Sequence, residues 1–347
     1  MAGHMRVTRR AALTLAGACA SCRGAEPDYD GVVRPLTDRG EFMGTVLVSR
    51  GEQTIFEKAY GLADVEWNVP NMIDGRFRIG SLSKQFTATC ILLLAQADKL
   101  DLDAPVTTYI PDPPEAWRAV TLHHLLTHTS GIPDFLGFPD YQSRKALPSR
   151  PSETILRFRD RPLEFRPGTE GRYSNSGYVL LAYIVERISG DTFDRFLGKS
   201  ILDPLGLRDT GVDTHRTILP HRVRGYTRFR QGLGNADYID MSIATGGGSL
   251  YSTVDDLRRW ALALHGGKLL NPGFYRRMTT PTFHNYGYGL EIQGEAGDRI
   301  ISHPGGVEGF AAALQFRERG RLVSAVLANV NTNVTGRLAN QLADMAA

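Results

Sequence analysis

The fold and the chemistry of this chain are decided by residues 81–95, which read SLSKQFTATCILLLA. Residues 85–95 are mostly apolar and contain no Gly or Pro, a pattern that predicts a buried helix. Positions i and i+3 share a helix face whereas i and i+2 do not, so the hydroxyl of Ser81, and not that of Ser83, can meet the Lys84 amine. The spacing predicts a serine nucleophile with a proton acceptor beside it.

The residues before this stretch strengthen the interpretation. Residues 77–80 form an extended run that ends in glycine, which places Ser81 at the start of the helix. Unpaired N–H groups and the positive end of the helix dipole favour developing negative charge there. The alternative is that Ser81 only caps the helix and that Lys84 is a solvated residue of its first turn.

Composition limits the classes of protein that remain. With 347 residues, of which 42% are hydrophobic, the chain can bury a large core in one big domain or two interleaved ones. The formal net charge is only +3 and no basic stripe is present, which argues against a nucleic-acid partner. No apolar run approaches the roughly 20 residues of a membrane span. Beyond residue 22 only Cys90 remains, so no internal disulfide is expected in a mature chain.

Residues 1–24 resemble a bacterial twin-arginine export signal, because paired arginines at Arg9 precede a small-residue, mildly apolar segment. Cleavage after Ala20 would release a periplasmic or extracellular protein. A lipoprotein site at Cys19 and a basic tail on a cytoplasmic protein are the alternatives. Residues 1–4 precede a second methionine, the pattern that a cloning remnant leaves.

The order of predicted elements indicates an α/β (α+β) fold. Apolar, β-branched runs at 44–51 and 54–61 predict an antiparallel hairpin. Further strands are predicted at 286–292, 310–316 and 322–328, with a closing helix at 336–345; the middle of the chain has helical patterns at 121–126, 153–159 and 176–188. Strands at both ends predict one antiparallel sheet flanked by helices, formed by residues 25–95 and 240–347, with residues 96–239 as a helical domain.

An acyl-transfer site also needs a second proton carrier, a group that orients the substrate and an oxyanion hole. Tyr173 and Asn175 form the only Tyr-x-Asn of the chain and could supply the first two, although an ordinary N-cap and a half-buried ring are the alternative. His303-Pro304-Gly305-Gly306 leads into a predicted strand, and its glycines allow the backbone to approach a ligand closely.

Ser-x-x-Lys, Tyr-x-Asn and His-x-Gly in this order resemble the serine β-lactamase and penicillin-binding-protein superfamily. The branch is that of class C β-lactamases, D-alanyl-D-alanine carboxypeptidases and class VIII esterases. Residues 125–132 (LLTHTSGI) and 247–253 (GGSLYST) are similar to two further segments of that branch. The resemblance runs from about residue 29 to the C-terminus. It implies a β-lactamase-like fold with the active site between the two domains, and neither a cofactor nor a metal.

The resemblance also implies a role for each residue. Ser81 would attack the carbonyl carbon, and Lys84 and Tyr173 would share the general base and acid work. The nearby cationic amine is expected to lower the pKa of the phenol. Asn175 would hold a substrate amide or the Lys84 side chain, and the backbone N–H groups of Ser81 and Gly306 would form the oxyanion hole.

The third element departs from the family pattern at Pro304. Many β-lactamases have Lys-Thr-Gly there, whose cation and hydroxyl bind a substrate carboxylate. In this chain His303 and Gly305 are the predicted substrate-binding residues. His303 is a candidate cation, but Pro304 stands where the hydroxyl would be, which puts carboxylate recognition in doubt.

We therefore predict a serine hydrolase that acts on a small ester or peptide substrate, as an esterase or D-amino-acid peptidase. The alternatives are a β-lactamase or D-alanyl-D-alanine carboxypeptidase, an acyltransferase, and an inactive cell-wall peptide-binding or sensor protein. An α/β-hydrolase would need Gly-x-Ser-x-Gly, which is absent. A zinc enzyme would need His-Glu-x-x-His, so His123, His124 and His128 are interpreted as packing residues. The sequence leaves the oligomeric state open.

Overall fold

The computed structural model describes residues 27–347 together with Met1 and Gly3. Residues 4–26, which contain most of the predicted export signal and the predicted cleavage site, lie outside the described residues.

The described residues form helices and strands in alternating groups. The helices are α1 Tyr29–Asp38, α2 Ser83–Gln96, α3 Leu122–Leu126, α4 Tyr141–Arg144, α5 Pro151–Ile155, α6 Asn175–Ser189, α7 Phe193–Leu197, α8 Asp203–Leu205, α9 Val254–His265, α10 Pro272–Met278 and α11 Val334–Ala346. The strands are β1 Gly44–Arg50, β2 Gln53–Tyr60, β3 Leu62–Asp64, β4 Val69–Pro70, β5 Phe77–Arg78, β6 Gly211–Val212, β7 Tyr226–Phe229, β8 Gly232–Asn235, β9 Leu250–Ser252, β10 Glu291–Gln293, β11 Ile300–Val307, β12 Phe310–Arg317 and β13 Leu322–Ala328.

One six-stranded antiparallel sheet joins the two ends of the chain. Its strand order is β10-β11-β12-β13-β1-β2, and Gly44 of the N-terminal hairpin pairs with Ala328 of β13. The antiparallel sheet flanked by helices is therefore as predicted. The domain boundaries at residues 95 and 240 stay a prediction.

The sheet separates two apolar cores, because successive side chains of a strand point to opposite faces. On β1, Val46 and Val48 pack with α1 and α11, whereas Leu47 joins the core that contains α2 and α9. All three side chains are fully buried, and burial of each stabilises the fold by about 2 kcal/mol. In α2 every residue except Leu93 and Gln96 is buried, as the apolar run predicts.

The predicted strand over residues 286–292 is wrong, because only its end belongs to β10. Gly289 has a left-handed φ of +68°, and a Cβ there would lie 2.7 Å from the Lys84 carbonyl oxygen. The alternating Tyr and Gly residues imitate the two-residue period of a strand, but the segment turns to pack against the first turn of α2. This turn brings Tyr286 into the site described below.

One smaller difference concerns a helix. The predicted helix at 153–159 is shorter in the structure, since α5 ends at Ile155. Among the described residues, no helix is both long enough and apolar enough to cross a membrane.

Candidate active site

Ser81 lies in a 3-10 turn, Gly80–Leu82, that runs directly into α2, and it precedes the first residue of that helix, Ser83, by two positions. Its Oγ accepts a hydrogen bond from Lys84 Nζ at 3.1 Å. The hydroxyl of Ser83 points elsewhere and accepts from the Leu250 N–H at 3.1 Å. The structure thus brings together the serine and the lysine that the helical spacing selects.

Gly80 allows strand β11 to approach the nucleophile. It has a left-handed φ of +51°, and a Cβ there would lie 2.6 Å from the backbone nitrogen of Gly306. A side chain at Gly80 would therefore push β11 away from Ser81. At Gly306 itself a Cβ would meet no atom within 4 Å, so this residue borders open space.

Lys84 is completely buried. Besides Ser81, its Nζ donates to Asn175 Oδ1 at 2.8 Å and to the Gly247 carbonyl at 2.7 Å. Burial disfavours the charged amine and lowers the pKa of Lys84 to about 7, against an opposing effect of the Asp134 charge. A substantial fraction of the amine is therefore neutral at physiological pH and able to accept a proton.

Asn175, the first residue of α6, is fixed by a carboxylate that the sequence did not reveal. Asp134 accepts the Asn175 backbone N–H at 3.1 Å and its Nδ2 at 3.0 Å. These bonds assign the amide nitrogen to Asp134 and leave the amide oxygen for Lys84. The resemblance implied that Asn175 holds either a substrate amide or the Lys84 side chain, and in this structure it binds Lys84.

Tyr173 lies on the other side of Lys84, whose Nζ is 4.7 Å from the centre of the phenol ring. The expectation that the amine lowers the pKa of the phenol is wrong. Although 41% of the Tyr173 surface is open to the cleft, the dense protein around it raises the pKa of Tyr173, and a hydrogen bond with Ser81 only partly opposes this. The phenol is thus protonated at neutral pH.

His128 supports the Tyr173 ring from behind, with 4.2 Å between ring centres. Its Nδ1 accepts the Ser174 N–H at 3.1 Å, so the neutral ring carries its proton on Nε2. Burial holds the pKa of His128 well below its ordinary value. This agrees with the interpretation of His128 as a packing residue.

His303 is buried, and both of its ring nitrogens are occupied. The Pro304 carbonyl can only accept, so Nδ1 donates to it at 2.5 Å, and Nε2 accepts from the Tyr286 hydroxyl at 2.8 Å. Burial lowers the pKa of His303 to about 3. The expectation that His303 offers a cation is therefore wrong at neutral pH. Gly305 lies against Ile79, where a Cβ would come within 2.0 Å of the carbonyl oxygen.

A small cavity of about 70 Å³ opens at Ser81. Its polar lining consists of Ser81, Asn175 and Glu308 with backbone of Gly247, Gly248 and Gly306. The rest is apolar: Phe135, Leu136, Tyr141, Val179, Ile239, Ile243, Ala244 and Val307. A small apolar group bonded to the reacting carbonyl carbon would fit here.

The predicted site residues converge in one place, but two partners were missed. The Gly247 carbonyl binds Lys84 directly, and Asp134 is linked to Lys84 through Asn175. The sequence marks the segment of Gly247 only as a family-like motif and that of Asp134 only as a loop. Among residues 27–347, no group of three or more His, Cys, Asp or Glu side chains is arranged to hold a metal ion. Instead, His123 Nδ1 forms a hydrogen bond with the Tyr288 hydroxyl, and His124 Nδ1 accepts one from the Thr121 backbone N–H.

Comparison with known proteins places this geometry in a family. A family profile described as Beta-lactamase matches residues 30–347. Penicillin-binding protein 4* of Bacillus subtilis (strain 168) is 30% identical over 302 residues, which cover 80% of this chain and 66% of that protein. Esterase EstB of Burkholderia gladioli is 30% identical over 275 residues, 69% of this chain and 68% of the esterase. This chain thus spans about two thirds of the length of these two relatives.

A solved structure extends the likeness to three dimensions. The D-amino acid amidase from Ochrobactrum anthropi SV3, complexed with D-phenylalanine, superposes with a TM-score of 0.79 at 26% identity. The superposition covers 92% of this chain and 98% of the amidase.

Proposed function

This chain belongs to the β-lactamase family of serine hydrolases, and from that premise we propose that it forms an acyl-enzyme on Ser81 and hydrolyses small esters or D-amino-acid amides and peptides. The family, the fold and the serine-hydrolase class are as predicted from the sequence. One observation carries the proposal: the Lys84 amine, with a pKa of about 7, lies 3.1 Å from the Ser81 hydroxyl.

In the proposed acylation, the neutral Lys84 amine takes the proton of Ser81 while Oγ attacks the carbonyl carbon. The negative charge that develops on the carbonyl oxygen is stabilised by the backbone N–H groups of Ser81 and Gly306. The nearness of Gly306 to the Gly80–Ser81 segment supports this assignment. Asn175 keeps the lysine amine directed at Ser81.

The leaving group then needs a proton. Tyr173 is its proposed donor, because the raised pKa keeps the phenol protonated. The tyrosine recovers a proton from the Lys84 ammonium, which restores the base. Water then attacks the acyl-enzyme: Tyr173 takes a proton from the water while it passes its own proton to the neutral Lys84 amine, and the Lys84 ammonium returns a proton to Ser81 Oγ as the acid leaves.

Labelling with a fluorophosphonate tests the nucleophile. The wild type should gain the mass of one phosphonyl group on Ser81, and Ser81→Ala should gain none. Ser83→Ala is the matched control, since its hydroxyl serves the Leu250 backbone, and it should still be labelled. A label that survives in Ser81→Ala contradicts the proposed acyl-enzyme.

Turnover of p-nitrophenyl butyrate, D- and L-phenylalanine amide, nitrocefin and a D-Ala-D-Ala peptide tests the substrate class. The ester and the D-amide should be hydrolysed fastest, because His303 is neutral and both its ring nitrogens are occupied, so it is not available to bind a leaving-group carboxylate. Fast hydrolysis of nitrocefin would reverse this ranking in favour of a β-lactamase.

Export from the cytoplasm is part of the proposal and rests on the sequence of residues 1–24 alone. Cell fractionation and N-terminal sequencing test it. A cytoplasmic protein with an intact N-terminus would contradict it.

A further inference from the structure

A second cavity, of about 450 Å³, lies next to the cavity at Ser81, and Glu308 lines both. Strands β5 and β9, the chain from Leu219 to Gly225 and the turn between β11 and β12 contribute to its walls. Four arginines are among its lining residues: Arg76, Arg78, Arg222 and Arg224. The proposed reaction uses none of them.

Two of these arginines share a single carboxylate. Arg78 Nε donates to Asp213 Oδ2 at 2.7 Å, and Arg222 Nη1 donates to Asp213 Oδ1 at 2.6 Å. Asp213 is only 2% exposed. Two guanidinium groups against one carboxylate leave one positive charge in excess in this cluster of three side chains, and a partly buried charge is stabilised by a counter-ion.

Arg78 has the donors to bind that counter-ion. Among the described residues, Arg78 Nη1 and Nη2 donate no hydrogen bond, since only its Nε binds Asp213. By contrast, a terminal nitrogen of Arg76 donates to Asp209, and a terminal nitrogen of Arg224 donates to Glu66. The Arg78 side chain is 18% exposed and its guanidinium lies 5.8 Å from the centre of the Phe310 ring. A guanidinium held in this way presents two parallel N–H groups, which match the two oxygens of a carboxylate.

A second, acidic part of the cavity lining limits the charge of the ligand. Asp237 and Glu308 share one cation, Lys145, at 3.1 and 3.2 Å. This part of the lining therefore has one negative charge in excess. It would repel a polyphosphate more strongly than a single carboxylate, which the Arg78 guanidinium can bind.

The orientation of the reaction decides which part of the substrate enters this cavity. The leaving group must face its proton donor, Tyr173, which is not among the described residues that line the cavity at Ser81. That cavity therefore holds the acyl part. An acyl chain that continues past Glu308 ends in the second cavity, beside Arg78.

We propose that Arg78 binds a carboxylate at the far end of the acyl group, so that the enzyme prefers esters and amides of acyl chains that end in a carboxylate. This inference rests on the proposed function, since it names the substrate class of the same Ser81 site. Asp213 and Arg222 act as positioning residues that fix the guanidinium.

The test uses p-nitrophenyl esters of glutaric, adipic and suberic acid, with the second carboxyl group either free or methylated. The quantity compared is the ratio of kcat/KM for the free acid to kcat/KM for the methyl ester. The wild type should favour the free acid for at least one chain length. Arg78→Gln should lower the ratio about tenfold, as expected for a charge-assisted hydrogen-bonded pair near solvent. Arg78→Lys, which keeps the charge but not the fork, should give an intermediate ratio.

Arg118→Gln is the matched control, since this arginine side chain is 74% exposed and forms an ion pair with Glu115, and its ratio should equal that of the wild type. A wild type that favours the methyl esters, or a ratio that Arg78→Gln does not change, overturns the inference. Should Arg78→Gln not fold, the wild-type ratio measured against ionic strength decides, because a partly exposed ion pair is screened by salt. A ratio independent of salt then overturns the inference.

The outcome separates this inference from the proposed function. Normal hydrolysis of both esters with an unchanged ratio removes only the carboxylate site. Absence of hydrolysis together with absence of a label on Ser81 overturns the proposed function, and the carboxylate site with it.

Discussion

Replacing Asp134 by Asn is expected to move the acidic limb of the pH profile of kcat/KM to lower pH. Asp134 is separated from the Lys84 amine by the side chain of Asn175, which binds both. Its negative charge raises the pKa of Lys84 and opposes the lowering by burial. Because the neutral amine is the proposed base, activity rises as the pH rises through this pKa. Removal of the charge lowers the pKa, so the base becomes available at lower pH.

The size of the shift follows from the distance. Two unit charges about 7 Å apart interact by roughly 2 kcal/mol at an effective dielectric constant of about 20. With allowance for solvent in the cleft, the limb should move down by about one pH unit from its wild-type position near 7. The new amide also presents an NH₂ group to the NH₂ group of Asn175. This loss of a hydrogen bond should lower kcat at the optimum by about tenfold.

The assay is hydrolysis of p-nitrophenyl butyrate between pH 5 and 9 by the wild type, Asp134→Asn and Asp160→Asn. Asp160, whose side chain is 85% exposed, is the control and should leave the limb in place. A limb that stays or moves upward in Asp134→Asn refutes the electrostatic link to Lys84. A wild-type limb above pH 9 refutes Lys84 as the base, since it would point to Tyr173.

Three further predictions concern the neighbours of the nucleophile. Gly80→Ala should lower the free energy of unfolding by about 2 kcal/mol or more, whereas Gly51→Ala should cost only about 1 kcal/mol. Both have similar positive φ values, 51° and 55°, but only the Gly80 methyl would contact Gly306; equal losses in urea unfolding would contradict this. Tyr173→Phe should lower kcat by roughly 10²- to 10⁴-fold with little change in melting temperature, and activity within tenfold of wild type would exclude the phenol as the acid. Between pH 7 and 10.5 the unfolded state binds more protons at Lys84 than the folded state does. The free energy of unfolding of the wild type, minus that of Lys84→Met, should therefore rise by about 1 kcal/mol per pH unit from pH 7 to 9.5. A difference that does not change with pH would contradict the lowered pKa of Lys84.

The sequence predicted the elements whose signals are local. The run after Lys84 has no helix breaker and forms α2, and the β-branched runs around Gly51 form the hairpin β1–β2. The family-like order of short motifs predicted which side chains meet. A local pattern depends only on neighbouring residues, and the family resemblance depends only on the order of motifs along the chain. Neither kind of signal requires the distances between residues that are far apart in the sequence.

What the sequence could not predict depends on those distances. Asp134 meets Asn175 across 41 residues, and its own segment looks like an ordinary proline-rich loop. The pKa of Tyr173 was predicted to fall because the amine is near, but burial raises this pKa and the hydrogen bond with Ser81 opposes it only in part. The sign could not be known before the density of protein around the ring was known.

The combination of a neutral His303 and the Arg78 guanidinium changes which end of a substrate this site can recognise. A carboxylate on the leaving group, as in a D-alanyl terminus, would face the buried edge of β11, where His303 donates its proton to Pro304 and has a pKa of about 3. No charge at His303 offsets the cost of taking that carboxylate out of water. Arg78, three residues before Ser81, offers its charge on the acyl side instead. If Arg78 binds the acyl carboxylate as proposed, a third motif without the lysine and the hydroxyl goes together with carboxylate recognition on the acyl side, and the enzyme would release a neutral leaving group from an acidic acyl chain.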